Sequence, residues 1–97
     1  MKYEILIKAP AKKQIDKLDK SVKVRIRKAL DRLSETPYIG KPLRGNLVDY
    51  WSYRVGNWRI IYEVSEDAVT VIVIGIGHRR EVYRAIKEIM SSLRKGK

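Results

Sequence analysis

The feature that most constrains this chain is the run from Val69 to Ile74, in which every residue is β-branched. Because apolar and polar residues do not alternate there, the run predicts a strand that is buried on both faces, inside a sheet. A rigid strand of this kind delivers whatever follows it to one edge of the fold. After two interrupting glycines, the residues that follow form a polar cluster: His78, Arg79, Arg80, Glu81 and, one step past Val82, Tyr83.

Helical spacing of apolar residues occurs in three parts of the chain. A short helix is predicted from Ala11 to about Leu18, and an amphipathic helix over about 20–35. Thr36-Pro37 ends the second helix and leads into a loop with two prolines and two glycines. Apolar residues from Val82 to Leu93 predict a C-terminal helix. The first two helices form a hairpin that would cover one face of a sheet.

The strand patterns complete an α+β fold. Gly56-Asn57 is a two-residue hairpin signal between two strand-like runs. We predict a small antiparallel sheet, made of an N-terminal strand plus a three-stranded meander, with the N-terminal helical hairpin packed on it and a C-terminal helix. The whole chain, 1–97, forms a single domain. The predicted strands cover residues 3–8, 50–55, 58–65 and 68–76.

The net charge of +11 predicts a polyanionic partner, such as nucleic acid, the ribosome, an acidic protein or an anionic membrane. The alternative is a solubilising surface. The guanidinium fork holds phosphate through two hydrogen bonds, whereas lysine acts as a point charge, so arginines favour the phosphate-binding interpretation. Between Lys41 and Lys87 every cationic residue is an arginine: Arg44, Arg54, Arg59, Arg79, Arg80 and Arg84.

The composition also excludes several classes of protein. There is no cysteine and only one histidine, so we expect no disulfide, no metal site and no other cofactor. No run reaches the roughly 18 apolar residues of a membrane span. Charged residues interrupt the apolar N-terminal stretch, which a signal peptide would not tolerate. We therefore expect a cytoplasmic protein without a membrane partner.

Arg54 and Arg59 flank the predicted hairpin turn on adjacent strands. If both project from one face, like-charge repulsion disfavours the arrangement unless an anion lies between them. Alternatively, one points to solvent and the other pairs with Glu63 or Asp49. The sequence leaves both alternatives open.

Two further residues are candidates for proton transfer. Histidine ionises near neutrality, so His78 is a candidate general acid or base, although a lone histidine beside a turn is often polar surface. Tyr83 lies one helical turn after Arg79 and can present its hydroxyl on the same side. Alternatively, its ring packs under the helix.

Arginines with a tyrosine, and without a metal, suit one reaction in particular: attack of a ribose 2′-hydroxyl on its own 3′-phosphate. This reaction needs a proton acceptor, a proton donor for the leaving 5′-oxygen and cations that stabilise the phosphorane. The substrate has to be RNA, because DNA lacks the nucleophile.

Several segments resemble the RelE/ParE superfamily of bacterial and archaeal toxins, with greatest similarity to the RelE branch. The resemblance covers nearly the whole chain. It implies a type II toxin–antitoxin toxin that enters the ribosomal A site, cleaves mRNA there without a metal and inhibits translation. It also implies three partners: a cognate antitoxin, rRNA and mRNA. The segments that carry the resemblance are Leu43-Arg44-Gly45, Trp51 to Val55, Trp58 to Tyr62 and Ile76-Gly77-His78-Arg79-Arg80-Glu81-Val82-Tyr83.

The resemblance also implies roles for particular residues. Phosphate-binding and acid positions fall on Arg59 and Arg79, the catalytic tyrosine on Tyr83 and a loop arginine on Arg44. Arg80 follows in the same signature and joins the predicted phosphate-binding set.

One departure from the family concerns the second strand of the sheet, where well-studied relatives carry lysines, one of them proposed as general base. The matching positions here are Ser52 and Arg54. Arginine stabilises charge but does not give up its proton in proteins. The base is therefore His78, Tyr83, a ribosomal group or nothing effective.

Two other functions remain as alternatives. One is a ParE-like poison of DNA gyrase, which binds a protein target and has no nuclease chemistry. The other is a non-catalytic module of the same fold that binds RNA or the ribosome.

Overall fold

A computed structural model describes residues 2–79, 81–84 and 86–87 of the chain, and these form an α+β domain as predicted. None of the helices among these residues has the length and apolar character needed to cross a bilayer. Residues 82–84 and 86–87 are helical, and the remainder of the predicted C-terminal helix lies outside the described residues. The other elements are β1 (Glu4–Ile7), α1 (Ala9–Asp16), α2 (Lys20–Glu35), β2 (Lys41–Pro42), a 3₁₀ turn (Gly45–Leu47), β3 (Trp51–Val55), β4 (Trp58–Ser65) and β5 (Thr70–His78).

The five strands form one sheet in the order β1-β5-β4-β3-β2. The antiparallel meander of β3, β4 and β5 is confirmed, and Gly56, with φ +61°, lies in the predicted two-residue hairpin. The sheet differs from the prediction in two respects, the first of which is that β1 pairs with β5 in parallel. The helical hairpin between β1 and the meander carries the chain across the sheet, as parallel neighbours require. The loop after α2 also contributes a short edge strand, β2, which was not predicted.

The helical hairpin covers one face of the sheet, here called the helix face. Ile26, Ala29 and Leu33 recur at helical spacing on α2 and are buried, as the amphipathic pattern predicts. Against them lie buried side chains of the two central strands, including Ile60 and Val73. Burial of apolar surface stabilises a fold by about 25 cal/mol per Å². This cluster contains more buried side chains than any other among the described residues, so it is the main core of the domain.

A smaller apolar cluster lies on the opposite face. Ile61 of β4 and Ile74 of β5 contact Val82 and Ile86 of the C-terminal helical residues. Leu43, from the loop after β2, packs against the same cluster. β5 is thus buried on both faces, as its unbroken β-branched run predicts.

The pairing of β4 with β5 contains a β-bulge. Tyr62 pairs with Val73 but Ile61 pairs with Gly75, so Ile74 is an extra residue on β5. The extra residue reverses the alternation of side chains along the strand. Val73 before the bulge and Ile76 after it therefore both face the helices, although three positions separate them.

The hydroxyl of Tyr62 ties the loop before β2 to the sheet. Tyr62 is fully buried, and its Oη donates to Pro37 O (2.8 Å) and accepts from Gly40 N–H (3.1 Å). Gly40 lies so close to the sheet that a Cβ there would be 2.7 Å from Ser52 O. A second tie joins Tyr38 Oη to the Glu66 carboxylate. These contacts fix the position of β2.

Replacing Tyr62 with phenylalanine is expected to lower the free energy of unfolding by about 1–3 kcal/mol, because two backbone groups lose a buried partner. Burial raises the pKa of Tyr62 to about 12. A raised pKa favours the neutral phenol in the folded state, so the resulting stability is fully present below pH 10 and lost between pH 10 and 12. Urea unfolding from pH 8 to 12 measures both effects.

The pH dependence of stability is compared between the unmodified protein and the Tyr62→Phe variant. This comparison separates Tyr62 from Tyr38, whose hydrogen bond to Glu66 also raises its pKa to about 12. Tyr38 remains in the variant, so only the contribution of Tyr62 disappears. Equal losses of stability above pH 10 in the two proteins would contradict the assignment.

Candidate functional site

Arg54 and Arg59 are directly opposite one another on β3 and β4. The hairpin is closed by Val55 and Trp58, which makes the arginines a non-hydrogen-bonded pair with Cα atoms about 4.5 Å apart and side chains on one face. This is the first of the two predicted arrangements, in which two cations stand side by side. Arg54 Nε donates to Gly56 O (3.2 Å), which holds its guanidinium over the turn.

Two buried polar atoms beside this pair have no hydrogen-bond partner among the residues that the structure describes: Ser52 Oγ and Arg59 Nε. Both residues line a cavity of ≈230 Å³, together with Arg54 and Lys41. Buried donors are nearly always satisfied, so these two donors suit an acceptor that a bound molecule supplies. We call this cavity, with Lys41, Ser52, Arg54 and Arg59, the arginine pocket.

Lys41 is the member of the pocket that sequence analysis missed. Its segment has the composition of a loop, and nothing in the local pattern predicts that Lys41 pairs with Ser52 on an edge strand. The pairing depends on contacts distant in sequence, through Tyr62 and Gly40. The signal available was chemical: a lysine close in space could replace those that relatives carry on the second strand.

The charge and hydrogen-bonding groups of the pocket suit an oxyanion. Three cationic side chains line it together with the Ser52 hydroxyl, and none of the described residues that line it is a carboxylate. Two guanidiniums on facing strands repel each other, and an anion between them relieves the repulsion. A phosphate diester carries one negative charge and two free oxygens, which the Ser52 hydroxyl and the Arg59 Nε–H can both approach.

Arg79 and Tyr83 follow β5 at the same end of the sheet. Arg59 pairs with Gly77, and Arg79 N–H donates to Asn57 O (2.8 Å), which extends the ladder to the hairpin turn. The Arg79 side chain, in the turn that follows the strand, is exposed. Tyr83 is 37% exposed, so part of its side chain is accessible to a ligand.

Gly77 brings the C-terminal helical residues close to this face. A Cβ on Gly77 would lie 3.3 Å from the Cβ of Val82, the buried neighbour of Tyr83. The glycine that interrupts the strand pattern therefore has a packing role. It allows the segment with Tyr83 to turn back over the sheet beside Arg59.

His78 lies on the helix face instead. It pairs with Trp58, and the two rings meet edge to face with centroids 5.8 Å apart. Gln14 and Leu18 from the helical hairpin line the same cavity as His78. The sheet therefore separates His78 from Arg59, and the structure does not bring the histidine into the pocket.

The remaining predicted residues are not placed in the pocket. Arg44 is exposed in the loop after β2, and it is not among the residues that line the cavity. Arg80 lies outside the described residues. The described site is therefore Arg54, Arg59 and Ser52, joined by Lys41, with Arg79 and Tyr83 beside it.

Comparison with known proteins gives consistent results. Residues 5–83 match the model of a family described as ParE toxin of the type II toxin–antitoxin system, parDE. Toxin RelG of Mycobacterium tuberculosis is 30% identical over 86 residues, which are 87% of this chain and 99% of the relative.

Solved toxin structures share the fold. The toxin–antitoxin complex RelBE2 of Mycobacterium tuberculosis matches with a TM-score of 0.76 at 28% identity, over 81% of this chain and 100% of the matched chain. The intact RelBE toxin–antitoxin complex of Escherichia coli matches with a TM-score of 0.69 at 31% identity, over 78% of this chain and 95% of the matched chain. This chain belongs to the RelE/ParE family of type II toxin–antitoxin toxins.

Proposed function

We propose that this toxin is a metal-independent endoribonuclease that cleaves mRNA in the ribosomal A site and so inhibits translation. The observation that carries the proposal is a pair of buried donors, Ser52 Oγ and Arg59 Nε, which have no partner among the described residues and lie in a cavity flanked by cations. A scissile phosphate supplies the acceptors that these donors lack. RelE-like toxins among the relatives support the same reaction class.

In the proposed reaction the 2′-hydroxyl oxygen attacks the adjacent phosphorus, and the bond to the 5′-oxygen of the next nucleotide breaks. The products are a 2′,3′-cyclic phosphate and a free 5′-hydroxyl. The nucleophile loses one proton and the leaving group gains one, so the reaction has no net change in protons. Negative charge increases on the non-bridging oxygens at the phosphorane. Arg59, Arg54 and Lys41 stabilise that charge, since fixed donors aimed at it need no reorganisation.

The groups that transfer protons have to lie on the face of the sheet that carries the arginine pocket. Tyr83 is exposed there, and its phenol can donate a proton to the leaving 5′-oxygen. Because His78 lies on the helix face and Tyr83 is the proton donor in this proposal, a ribosomal group is left as the acceptor for the proton of the 2′-hydroxyl. Arg79 adds a further cation beside the reacting phosphate.

Primer extension on a defined mRNA tests the proposal. The mRNA is incubated with 70S ribosomes that have an empty A site, with and without the toxin, beside a ribosome-free control and an Arg59→Gln control. Cuts within the A-site codon that need both the ribosome and Arg59 support the endonuclease. Failure of folded toxin to cut on ribosomes from its own source excludes it, and DNA gyrase inhibition is then the assay to make.

Replacing His78 with glutamine is expected to leave the cleavage rate within about twofold of the unmodified toxin, because changes away from a site alter free energies by about 0.5 kcal/mol. The sheet separates His78 from the pocket, so no step depends on its proton. Single-turnover cleavage on programmed ribosomes measures the rate. A loss above tenfold in a variant of unchanged stability would return His78 to the mechanism.

We also propose that the toxin is silenced by a cognate antitoxin. The two complexes described above each pair a toxin of this fold with an antitoxin. The net charge of +11 favours an acidic or amphipathic partner, because complementary charge accelerates association.

A further inference from the structure

We propose that the groove between α2 and β3 binds the phosphates of the same RNA strand that occupies the arginine pocket, next to the cleaved bond. This inference rests on the proposed function for the identity of the strand. It adds a second binding surface, on three α2 cations that have no part in the chemistry.

The groove encloses ≈290 Å³ and is strongly cationic. Arg25, Lys28 and Arg32 line it from α2, where spacings of three and four residues put them on one face of the helix. Arg54 and Tyr53 line it from β3, and the lining contains no carboxylate within the part of the chain that the structure describes. All four cationic side chains are exposed, so their charges are available to a ligand.

The groove and the arginine pocket meet at the hairpin turn. Arg54 and Tyr53 line both cavities. Arg54 Nε donates to Gly56 O, and a Cβ on Gly56 would lie 2.6 Å from an Nη atom of Arg25. Arg25 and Arg54 thus both reach the glycine of the hairpin turn, and Arg54 is paired with Arg59 across the hairpin. The hairpin turn therefore links the groove, on the helix face, with the pocket on the opposite face.

The α2 cations span enough length for several phosphates. Arg25 and Arg32 are seven positions apart, which corresponds to about 10.5 Å along a helix axis. That is about three steps of 3.4 Å, the axial rise per nucleotide of one strand in a stacked helix. Like charges at neighbouring helical positions repel, and a polyanion removes the repulsion. A single strand leaving the pocket past Arg54 meets this set first.

The test compares two triple variants of equal charge. The groove variant replaces Arg25, Lys28 and Arg32 with glutamine. The control variant replaces the α2 cations that do not line the groove: Lys20, Lys23 and Arg27. Binding to a 15-nucleotide 2′-O-methyl RNA, which lacks the nucleophile and cannot be cleaved, is measured by fluorescence anisotropy from 50 to 300 mM salt. Circular dichroism establishes that both variants fold.

The groove variant is expected to reduce the slope of log K against log salt by about 2, because each lost contact with a single strand removes about 0.7. Its affinity at 100 mM salt should fall at least tenfold, while the control stays within threefold of the unmodified toxin. Equal losses in both variants would show general attraction only, and no loss in the groove variant would exclude the groove. Either result overturns the proposal, as does an unmodified toxin with no affinity for the RNA at 50 mM salt.

A ribosome arm separates the two possible sources of phosphate. If the groove variant loses affinity for 70S ribosomes without mRNA but keeps its affinity for the oligonucleotide, the groove binds rRNA and the proposal fails. Because both arms measure binding, they also remain separate from cleavage. A toxin that never cuts, yet loses RNA affinity only in the groove variant, would contradict the proposed function and support the groove.

Discussion

Replacing Arg59 with glutamine is expected to reduce A-site cleavage by about 10²- to 10³-fold, the usual cost of removing one preorganised donor from a developing oxyanion. Arg59 Nε is buried and has no hydrogen-bond partner among the described residues, and Arg59 is paired with Arg54 across the hairpin. Removing it deletes a fixed donor and half of the cationic pair. Single-turnover cleavage of mRNA on programmed ribosomes measures the loss.

Three comparisons make this result specific to the site. Arg59→Lys should recover only part of the rate, because lysine keeps the charge but loses the planar fork. Arg27→Gln removes an exposed cation from α2 and should leave cleavage unchanged. Ribosome binding by Arg59→Gln, measured by sedimentation, should stay within a fewfold of the unmodified toxin. Cleavage at the normal rate by Arg59→Gln would remove the pocket from the mechanism.

Replacing Lys41 with glutamine is expected to slow cleavage by about ten- to a hundredfold, which corresponds to about 1.5–3 kcal/mol for a hydrogen bond to a charged group. Lys41 stands across from Ser52 on the short edge strand and lines the arginine pocket. Its ammonium supplies the amine charge that β3 lacks. The rate is measured in the same single-turnover assay.

A second substitution distinguishes two roles for Lys41. If its task is to stabilise phosphate charge, Lys41→Arg keeps the rate within about threefold, because guanidinium is an equally good phosphate ligand. If Lys41 transfers a proton, Lys41→Arg is as slow as Lys41→Gln, since arginine does not deprotonate. The first result supports the assignment made here, and the second contradicts it.

Much of the fold could be predicted because its patterns are local. The β-branched run of β5 and the apolar spacing of α2 are local patterns in the sequence. Both elements form as these patterns predict, with β5 buried on both faces of the sheet and α2 packed on one of them. Gly56 marks the hairpin, and the hairpin alone sets Arg54 opposite Arg59. The pairing of the arginines was therefore within reach of sequence reasoning, although the choice between its two alternatives was not.

The parts that sequence reasoning missed depend on distant contacts. The strand β2 exists because Tyr62 and Ser52 provide the surface on which residues 40–42 lie, and those contacts span more than ten positions. The parallel pairing of β1 with β5 likewise depends on how the helical hairpin crosses the sheet. Lys41 could not be assigned to the pocket until β2 was known.

His78 lies apart from the arginine pocket for a different reason. Its position in the signature next to Arg79 suggested that both act together. On a strand, adjacent residues point to opposite faces, so two neighbours in the signature are separated by the sheet itself. Counting alternation from the start of β5 would also have failed, because the extra residue at Ile74 reverses it.

The bulge at Ile74 has a consequence for insertions and deletions in this chain. Losing Ile74 would restore regular pairing without turning any later residue, because Val73 would still pair with Tyr62 and Gly75 with Ile61. Losing one residue after the bulge would act differently. Without Gly77, His78 would lie opposite Arg59 and on its face, where its side chain would take the space that Gly77 leaves for Val82. β5 can therefore lose a residue at the bulge more readily than between the bulge and its end, and a single codon lost from that later stretch would rearrange the site more than most replacements in it.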